Sequence, residues 1–239
     1  MGTPAAKPEI GKLRFRFCRI NQTMSYTAHP TAIIDENVQI GDQTKIWHFA
    51  HICSGARIGE RCIFGQNTMV AADVVIGSNV KVQNNVAIYT GTEIEDDVFL
   101  GPSCVLTNVT NPRSQVKRHS LFEKTIIRRG TTVGANATIV CGISLGRYSF
   151  IAAGAVVAKD VPDYGFVMGV PGRLKGWMSR HGHLLDFDAA GMAVCPESGF
   201  SYTLNNGAVK CLTLDEDAAL PEALSQGVRT YDEFKTAAS

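Results

Sequence analysis

The chain has 239 residues, with 23 lysines and arginines against 22 aspartates and glutamates, so its formal net charge at pH 7 is +1. A nearly neutral chain is poorly suited to general nucleic-acid binding, which depends on an excess of positive charge. The sequence also contains no run of ~18 apolar residues, so no membrane partner is expected. Residues 1–23 are basic but lack the apolar run of a signal peptide, which makes the cytoplasm the expected location.

Residues 1–25 show no repeating pattern and are expected to form an N-terminal extension. From Ile34 a large apolar residue recurs at every sixth position, and a small or β-branched residue stands two positions earlier. The large row comprises Ile34, Ile40, Ile46, Ile52, Ile58, Phe64, Val70, Ile76, Val82, Ile88, Ile94, Leu100 and Leu106. Two inward residues separated by one outward residue form a short strand, and the remaining three residues turn the chain. The six-residue period therefore predicts an all-β solenoid.

The geometry of such a solenoid predicts which residues lie together. If three strand-and-turn units close one triangular coil, residues 18 apart are stacked at the inter-strand spacing of ~4.8 Å. Each coil buries its apolar rows only against neighbouring coils, so both ends of the stack need caps. Glycines after the large residue suit corners that need a positive φ or leave no room for a Cβ atom. They are Gly41, Gly59, Gly65, Gly77, Gly101, Gly134 and Gly146.

The hexads stop at Leu106 and resume in a new phase at Ile127, 21 residues later, which is not a multiple of six. Residues 107–125 are therefore expected to leave the coil as a loop, inside a β-helix domain that spans residues 26–168. Residues 107–129 are basic and contain Arg113, Lys117, Arg118, Lys124, Arg128 and Arg129. It is either a solvated loop or a loop whose guanidinium groups grip a diphosphate.

Residues 169–239 are expected to form a C-terminal segment outside the coil. We expect a short helix at Leu174–Arg180 to cover the end of the stack. A β-hairpin is predicted around Asn205-Asn206-Gly207, since this sequence favours a tight turn. The acidic stretch from Leu214 onward is expected to be peripheral. Cys195 and Cys211 are interpreted as packing residues rather than metal ligands, because no second pair or nearby histidine accompanies them.

One predicted column carries polar residues. The second position after the large residue reads His48, Gln66, Asn84 and Pro102, and the third reads Phe49, Asn67, Asn85 and Ser103. Trp47 and Tyr89 are expected nearby. The column is either a structural ladder of amides along a corner or a substrate groove. We favour a groove, because His48, Gln66 and Asn84 differ in size and chemistry.

The hexads, together with TNVTNPRS, TVGANATIVCG and FIAAGAVVAKDVPDYGFVMGVPGR, resemble bacterial nucleotide-sugar N-acetyltransferases of the left-handed β-helix family. The resemblance covers residues 26 to about 180 and the CPESGFSYTL segment. It implies a left-handed parallel β-helix, acetyl-CoA as cosubstrate, and a homotrimer with sites between subunits. The enzymes of O-antigen synthesis that acetylate the 3-amino group of UDP-2-acetamido-3-amino-2,3-dideoxy-glucuronate are the most similar. A dTDP-linked 3-amino-6-deoxyhexose is the alternative acceptor.

The resemblance also implies roles for individual residues. Asn84 would hold the sugar amine, and backbone amides near Gly101, Gly134, Ala152 and Gly154 would contact the pantetheine arm. The adenine and phosphates would lie near Lys159, Val170, Pro171 and Arg173. The carboxylate and diphosphate of the substrate have His48, Lys81 and Arg113 as candidate partners. The predicted substrate surface is completed by Gln66, Asn67, Asn85 and Tyr89.

The chemistry limits what Asn84 can do. An amine attacks a thioester only when it is neutral, so a proton must leave, and an amide cannot accept it. His48 has a suitable pKa range but lies two coils away, about 10 Å at the stacking distance. We therefore assign Asn84 to positioning, with the departing CoA thiolate taking the proton as the resemblance suggests. His48 is the alternative base.

Two other functions agree less well with the sequence. A γ-type carbonic anhydrase shares the solenoid but needs three histidine ligands, and the spacing of His48, His51 and His119 does not fit that pattern. No metal cofactor is therefore expected. A non-catalytic scaffold would present a flat and repetitive outer face, whereas the outward positions here are irregular.

Overall fold

The computed structural model describes residues 26–227 and 229–235, so the predicted N-terminal extension lies outside the described residues. Short parallel strands wind into a three-sided solenoid. The first face contains Thr27–Ala28, Lys45–Ile46, Ile63–Phe64, Lys81–Val82, Phe99–Leu100, Thr132–Val133, Phe150–Ile151 and Gly165–Met168. The second contains Ile33–Ile34, His51–Ile52, Met69–Val70, Ala87–Ile88, Val105–Leu106, Thr138–Ile139 and Val156–Val157. The third contains Gln39–Ile40, Arg57–Ile58, Val75–Ile76, Thr92–Ile94, Thr125–Ile127 and Ser144–Leu145.

Three corners join these faces. The ladder corner leads from the first face to the second and comprises residues 29–32, 47–50, 65–68, 83–86, 101–104, 134–137 and 152–155. The loop corner leads from the second face to the third and comprises residues 35–38, 53–56, 71–74, 89–91, 107–124 and 140–143. The return corner leads from the third face to the first and comprises residues 41–44, 59–62, 77–80, 95–98, 128–131 and 146–149.

The interior contains the residues that the six-residue period selects. The large apolar residues from Ile40 to Val157 are at most 3% exposed, whereas Ile34, in the first coil, is only half-buried. Hydroxyl groups in the small row are buried as well, and they donate to glycine carbonyls. The Thr44 hydroxyl binds the carbonyl of Gly59 at 3.0 Å, and that of Thr131 binds Gly146 at 2.9 Å. These threonines fit the core because each donor is satisfied.

The close approach of successive coils explains the corner glycines. A Cβ atom on Gly59 would lie 2.6 Å from the carbonyl carbon of Gly77, and one on Gly101 would lie 2.7 Å from the amide nitrogen of Ala135. Neither glycine has a positive φ. Of the two reasons given for these glycines, lack of space is therefore the correct one. The positive φ values occur two positions later, for example at Asn67 and Asn85.

The loop at residues 107–124 leaves the stack undisturbed. Phe99 pairs with Thr132, and Ile94 pairs with Ile127, as if the extra residues were absent. The loop leaves the coil at the loop corner and contains one 3-10 turn, His119–Leu121.

The expected helix at Leu174–Arg180 is wrong, because Arg173–Trp177 is a β-strand. It folds back antiparallel to Gly165–Met168, with Leu174 opposite Val167, after a turn that contains the cis peptide Val170–Pro171. The last strand of the first face would otherwise leave a row of amide and carbonyl groups unpaired. Pairing that edge outweighs the weak helical tendency of a short segment interrupted by Gly176.

The predicted hairpin is confirmed and belongs to a larger sheet. Ser201–Asn205 and Ala208–Cys211 are antiparallel, and Asn206 and Gly207 both have positive φ, as a type I′ turn requires. Met192–Val194, which the sequence did not indicate, adds a third strand. The remaining elements are a 3-10 turn, Glu222–Leu224, and a short helix, Tyr231–Lys235. Cys195 and Cys211 are buried and unbridged in the aromatic core beneath this sheet.

The expectation that the acidic stretch is peripheral is wrong for residues 215–218. Arg129 donates to the carbonyl of Asp217 at 2.7 Å, and Arg147 donates to its carboxylate at 2.7 Å. The hydroxyl of Tyr148 donates to the carbonyl of Glu216. Backbone carbonyls, which composition does not reveal, thus attach this segment to the return corner.

Within residues 26–227 and 229–235, no helix has the length and apolar character that crossing a membrane requires.

Candidate active site

One hydrogen bond recurs at the second residue of three corner segments, where Ser78, Asn84 and Asp96 are the acceptors. The side chain there accepts from a backbone amide 18 residues earlier, one coil below. Asp96 accepts from the amide of Ser78 at 2.7 Å, and Asn84 accepts from the amide of Gln66 at 2.8 Å. The Oδ1 atom of Asn84 therefore has a structural partner, and this partner is the corner equivalent of the one that Asp96 binds.

Asn84 still has capacity for a ligand. Its side chain is exposed at the ladder corner. A carbonyl oxygen has two lone pairs, so Oδ1 can accept a second hydrogen bond from outside the coil. Its Nδ2 group has no hydrogen-bond partner among the described residues. A sugar amine could therefore donate to a carbonyl that the coil itself holds in place.

The neighbouring amides have a more ordinary role. Asn67 donates through Nδ2 to the Oδ1 atom of Asn85 at 3.1 Å. The return corner has the same pair, in which Asn79 donates to Asp97 at 2.7 Å. Because this pairing recurs at a second corner, it supports the structural interpretation for Asn67 and Asn85, although both remain exposed beside Asn84.

His48 lies at the N-terminal end of the same corner. Its ring stacks on that of His29, with 3.5 Å between centroids, and the rings of Trp47 and Phe49 lie beside it. Strand pairing places Lys45 next to Ile63 and Ile63 next to Lys81. His48 is therefore two coils from Asn84, about 10 Å along the stack, as the repeat predicted.

Most of the predicted site residues share the ladder corner. His48, Gln66, Asn67, Asn84, Asn85, Gly101, Gly134, Ala152 and Gly154 follow one another along it. The turn with Val170 and Pro171 continues this edge, because Gly169 and Gly172 hydrogen-bond to Val156, and Arg173 follows the turn. Four predicted residues are elsewhere, and one of them, Lys81, lies in a strand of the first face. Tyr89 and Arg113 belong to the loop corner, and Lys159 follows the last strand of the second face.

Lys81 has an intramolecular partner. Its Nζ atom donates to the carbonyl of Arg61 at 2.8 Å, toward the return corner. Burial lowers the pKa of Lys81 below its ordinary value. Two of its three N–H groups remain available, so a substrate carboxylate or diphosphate could contact Lys81 only by approaching this position on the first face.

The backbone amides expected to contact pantetheine are already used within the coil. Gly101 donates to Val133, Gly134 to Ile151, Ala152 to Val167 and Gly154 to Ala135, all at 2.7–2.8 Å. Gly101, Gly134 and Ala152 directly follow a strand, so their amides continue the hydrogen-bond ladder between parallel coils. The amide of Gly154 bonds within the corner instead.

A different set of amides is available instead. The backbone N–H groups of Asn84, Ala135 and Ala153 have no hydrogen-bond partner among the described residues. All three occupy the second corner position, whose amide is capped by the side chain one coil above at Glu60, Gln66 and Ser78. Here the residues above Asn84 and Ala135 are Pro102 and Ala153, which have no side-chain acceptor. In the sequence, these free amides are indicated by Pro102, Ala135 and Ala153, which occupy a column that is otherwise polar.

Several cationic side chains of the basic region are already paired with carboxylates of the coil. Lys124 pairs with Glu93 at 2.7 Å, Arg128 lies 3.8 Å from Glu95, and Arg129 pairs with Asp96 and Asp97. Arg113 and Lys117 make no ion pair with any described residue, and both are exposed. Of the predicted cationic groups, these two are therefore the best placed to meet a phosphate.

Glu123 fastens the base of the loop. Its carboxylate accepts from the hydroxyl and from the amide of Thr110, and the hydroxyl contact is the main reason that the pKa of Glu123 is lowered. The amide of Glu123 donates to the carbonyl of Asn108 at 2.9 Å. Between these contacts the loop encloses a shallow apolar pocket that includes Val109, Val116 and Phe122, with Arg113 at its wall.

Comparison with known families gives two matches. A family described as bacterial transferase hexapeptide (six repeats) matches residues 37–72 and 73–108. A family described as hexapeptide repeat of succinyl-transferase matches residues 55–90 and 124–159. These matches confirm the predicted fold class, a left-handed parallel β-helix of hexapeptide repeats.

A curated relative is similar over most of its length. The dTDP-3-amino-3,6-dideoxy-alpha-D-galactopyranose 3-N-acetyltransferase of Aneurinibacillus thermoaerophilus is 41% identical over 186 residues, which are 78% of this chain and 95% of the relative. The bifunctional protein GlmU of Shouchella clausii is 29% identical over 142 residues, which are 59% of this chain but only 29% of GlmU.

Solved structures that align with part of this chain were also found. PerB from Caulobacter crescentus, in complex with CoA and GDP-perosamine, is 21% identical, with a TM-score of 0.37 over 64% of this chain and 58% of PerB. AntD, an N-acyltransferase from Bacillus cereus in complex with dTDP and coenzyme A, is 18% identical, with a TM-score of 0.41 over 63% of this chain and 80% of AntD.

The structural role of Asn84 can be measured apart from any activity. Asn84→Ala removes the acceptor for the Gln66 amide and should lower the free energy of unfolding by about 1 kcal/mol. Asn84→Asp keeps an acceptor, as Asp96 does at the equivalent position, and should stay within about 0.5 kcal/mol of the parent. Urea denaturation of the three proteins checks this. Equal losses in both variants would show that the capping bond is not what Asn84 contributes.

Proposed function

Because this chain belongs to the hexapeptide-repeat sugar N-acetyltransferases, we propose that it transfers an acetyl group from acetyl-CoA to the 3-amino group of a nucleotide-linked sugar. The observation that carries this proposal is the 41% identity to a 3-N-acetyltransferase across 95% of that enzyme. Acetyl-CoA and nucleotide sugars are cytoplasmic metabolites, so we place the reaction in the cytoplasm.

For the acceptor we favour a dTDP-linked 3-amino-3,6-dideoxyhexose over the UDP-linked uronic acid that the sequence suggested first. The relative is named for a dTDP sugar of this class. The ladder corner also supports a sugar without a carboxylate. Lys81 donates to a backbone carbonyl, His48 stacks on His29, and Arg113 belongs to another corner of the chain. Within the described part of one chain, a uronate bound beside Asn84 would therefore lie near no cation that is both on this corner and free of other contacts, and Arg113 of a neighbouring subunit would be left for the diphosphate.

In the proposed mechanism Asn84 positions the nucleophile. The neutral amine donates to Oδ1, which leaves its lone pair free to attack the thioester carbonyl. The uncapped amides of Asn84, Ala135 and Ala153 offer donors for the negative charge that develops on that carbonyl oxygen and for the amide-rich arm of CoA. Acetyl-CoA supplies the acetyl group, and its sulfur leaves as a thiolate that takes the amine proton. His48 is too far from Asn84 to act as the base on the same nitrogen.

A homotrimer would complete this site. The ladder corner is a convex edge of a prism, and a convex edge cannot enclose a substrate without a second wall. The second face, next to it, carries outward apolar residues, with Ile33 59% and Val105 46% exposed. We propose that this face packs against a neighbouring subunit, whose basic loop with Arg113 then covers the ladder corner.

The central experiment is an acetylation assay with purified protein, acetyl-CoA and a panel of nucleotide-linked amino sugars. We expect turnover with dTDP-linked 3-amino-3,6-dideoxyhexoses and at least tenfold lower kcat/KM with the UDP-linked 3-amino uronate. The reverse order would restore the uronate as acceptor. Absence of turnover with every 3-amino sugar would refute the proposed function.

The same assay tests Asn84. Asn84→Ala should lower kcat/KM about 100-fold, because the amine loses its orienting acceptor. Asn84→Asp retains an acceptor, but its negative charge stabilises the ammonium form, so its pH–rate profile should move to higher pH. A profile at the parent position would show that the amine does not bind at this oxygen.

The uncapped amides are tested by supplying the missing acceptor. Ala153→Asn places an amide one coil above Ala135, in the relation that Asn84 has to Gln66, and should occupy the Ala135 N–H group. We expect KM for acetyl-CoA to rise about tenfold without loss of stability. Ala153→Leu, which has similar bulk and no acceptor, is the matched control. Equal increases in KM would show that bulk, not hydrogen bonding, is responsible.

The assembly is tested by sedimentation. The protein should behave as a particle of three 25.8 kDa chains. Val105→Glu on the second face should reduce the particle to single chains and abolish activity, because a charge would be buried in the interface. Phe99→Glu, on the first face, is the control and should remain trimeric. A monomeric parent with full activity would contradict the proposal.

A further inference from the structure

Three potential metal ligands converge at the loop corner, away from Asn84. His51 and Cys53 flank the buried Ile52, and Asp35 lies 18 residues before Cys53, in the first coil. The Nε2 atom of His51 is 3.0 Å from Oδ1 of Asp35 and 3.9 Å from Sγ of Cys53. The three donor atoms all lie within 4.8 Å of one another.

The coil itself orients these side chains. Ile33 pairs with His51 and Ile34 with Ile52, which fixes the first coil against the second. The second carboxylate oxygen of Asp35 accepts from the amide of Ser54 at 3.2 Å, so Oδ1 is left to face the histidine. Such support of a ligand by its neighbours is typical of built metal sites.

The spacing agrees with tetrahedral coordination. Zinc–ligand bonds of ~2.0 Å to nitrogen or oxygen and ~2.3 Å to sulfur place a nitrogen and an oxygen ligand ~3.3 Å apart, and a nitrogen and a sulfur ligand ~3.6 Å apart. The observed separations are 3.0 and 3.9 Å. These two pairs therefore each need an adjustment of only a few tenths of an ångström, and the carboxylate and thiol atoms of the third pair lie within 4.8 Å of each other.

We propose that Asp35, His51 and Cys53 bind a zinc ion, with a fourth position open to water. The donor set of one thiolate, one imidazole and one carboxylate matches a soft-to-borderline divalent metal and is poorly suited to magnesium or calcium. A thiolate and a carboxylate also balance the charge of a divalent cation. Binding of the cation displaces the proton of the Cys53 thiol.

The position of this site indicates a structural purpose. Asp35 belongs to the first coil, whereas His51 and Cys53 belong to the second, so the ion would bridge them. The first coil has a neighbour on one side only within the described residues, and Ile33 and Ile34 are correspondingly exposed or half-buried. An ion bound there would stabilise the packing of the first described coil against the second. The proposal does not depend on acetyl transfer, since the ladder corner is at the opposite edge of the second face.

The competing explanation is a hydrogen bond between His51 and Asp35 with Cys53 merely adjacent. The two differ in whether the sulfur binds a cation, so cobalt is a suitable probe. Full-length protein stripped of metal should give a thiolate-to-cobalt charge-transfer band that saturates at one ion per chain, and one equivalent of zinc should displace it. Zinc should also raise the midpoint of thermal unfolding by several degrees.

Variants identify the ligands. Cys53→Ala should abolish the charge-transfer band and the thermal shift, and Asp35→Asn should weaken cobalt binding at least about tenfold. Cys141→Ala is the matched control, because Cys141 is another loop-corner cysteine and is not part of the cluster; it should retain the band. Folding of each variant is checked by circular dichroism. A parent without the band, or a band that survives in Cys53→Ala, would overturn the proposal.

Discussion

The hydrogen-bonded contact between successive coils is the constraint on which the rest of this structure depends. Backbone amides of one coil donate to carbonyls of the next across all three faces, and this leaves almost no space between coils at the corners. A Cβ atom on Gly59 or Gly101 would meet the backbone of the next coil. The same closeness lets a side chain at the second corner position reach an amide one coil below. The hydrogen bonds at a corner therefore depend on pairs of residues that are 18 positions apart in the sequence.

The candidate active site uses an interruption of that pairing. Where the column offers a serine, an aspartate or an asparagine, the amide below is capped and the corner is closed. Where it offers Pro102 or Ala153, the amide one coil below, that of Asn84 or Ala135, is left for a ligand. Asn84 stands at the boundary, since it caps Gln66 below and presents an uncapped amide of its own. Asn84 thus has a structural role as a cap and, in the proposed mechanism, a chemical role as the acceptor for the amine.

The two edges of the second face differ in what they contribute. The ladder corner presents amides and carbonyls that suit a thioester and an amine. The loop corner carries the basic excursion and, at its N-terminal end, the side chains of Asp35, His51 and Cys53. In the proposed trimer, packing of this face between subunits would bring one chain's loop to another chain's ladder corner.

The sequence by itself determined the solenoid, its buried rows and the column that contains Gln66 and Asn84, because a strict six-residue period leaves one way to bury the large residues. It also located the loop and the hairpin turn, since a broken phase and an Asn-Asn-Gly turn are local signals. Only the tertiary structure decided that Arg173–Trp177 is a strand, that Asp217 joins Arg129 and Arg147, and that the free amides belong to Ala135 and Ala153. Each of these depends on which groups remain unpaired after the coils have stacked, and that is decided by residues that are distant in the sequence.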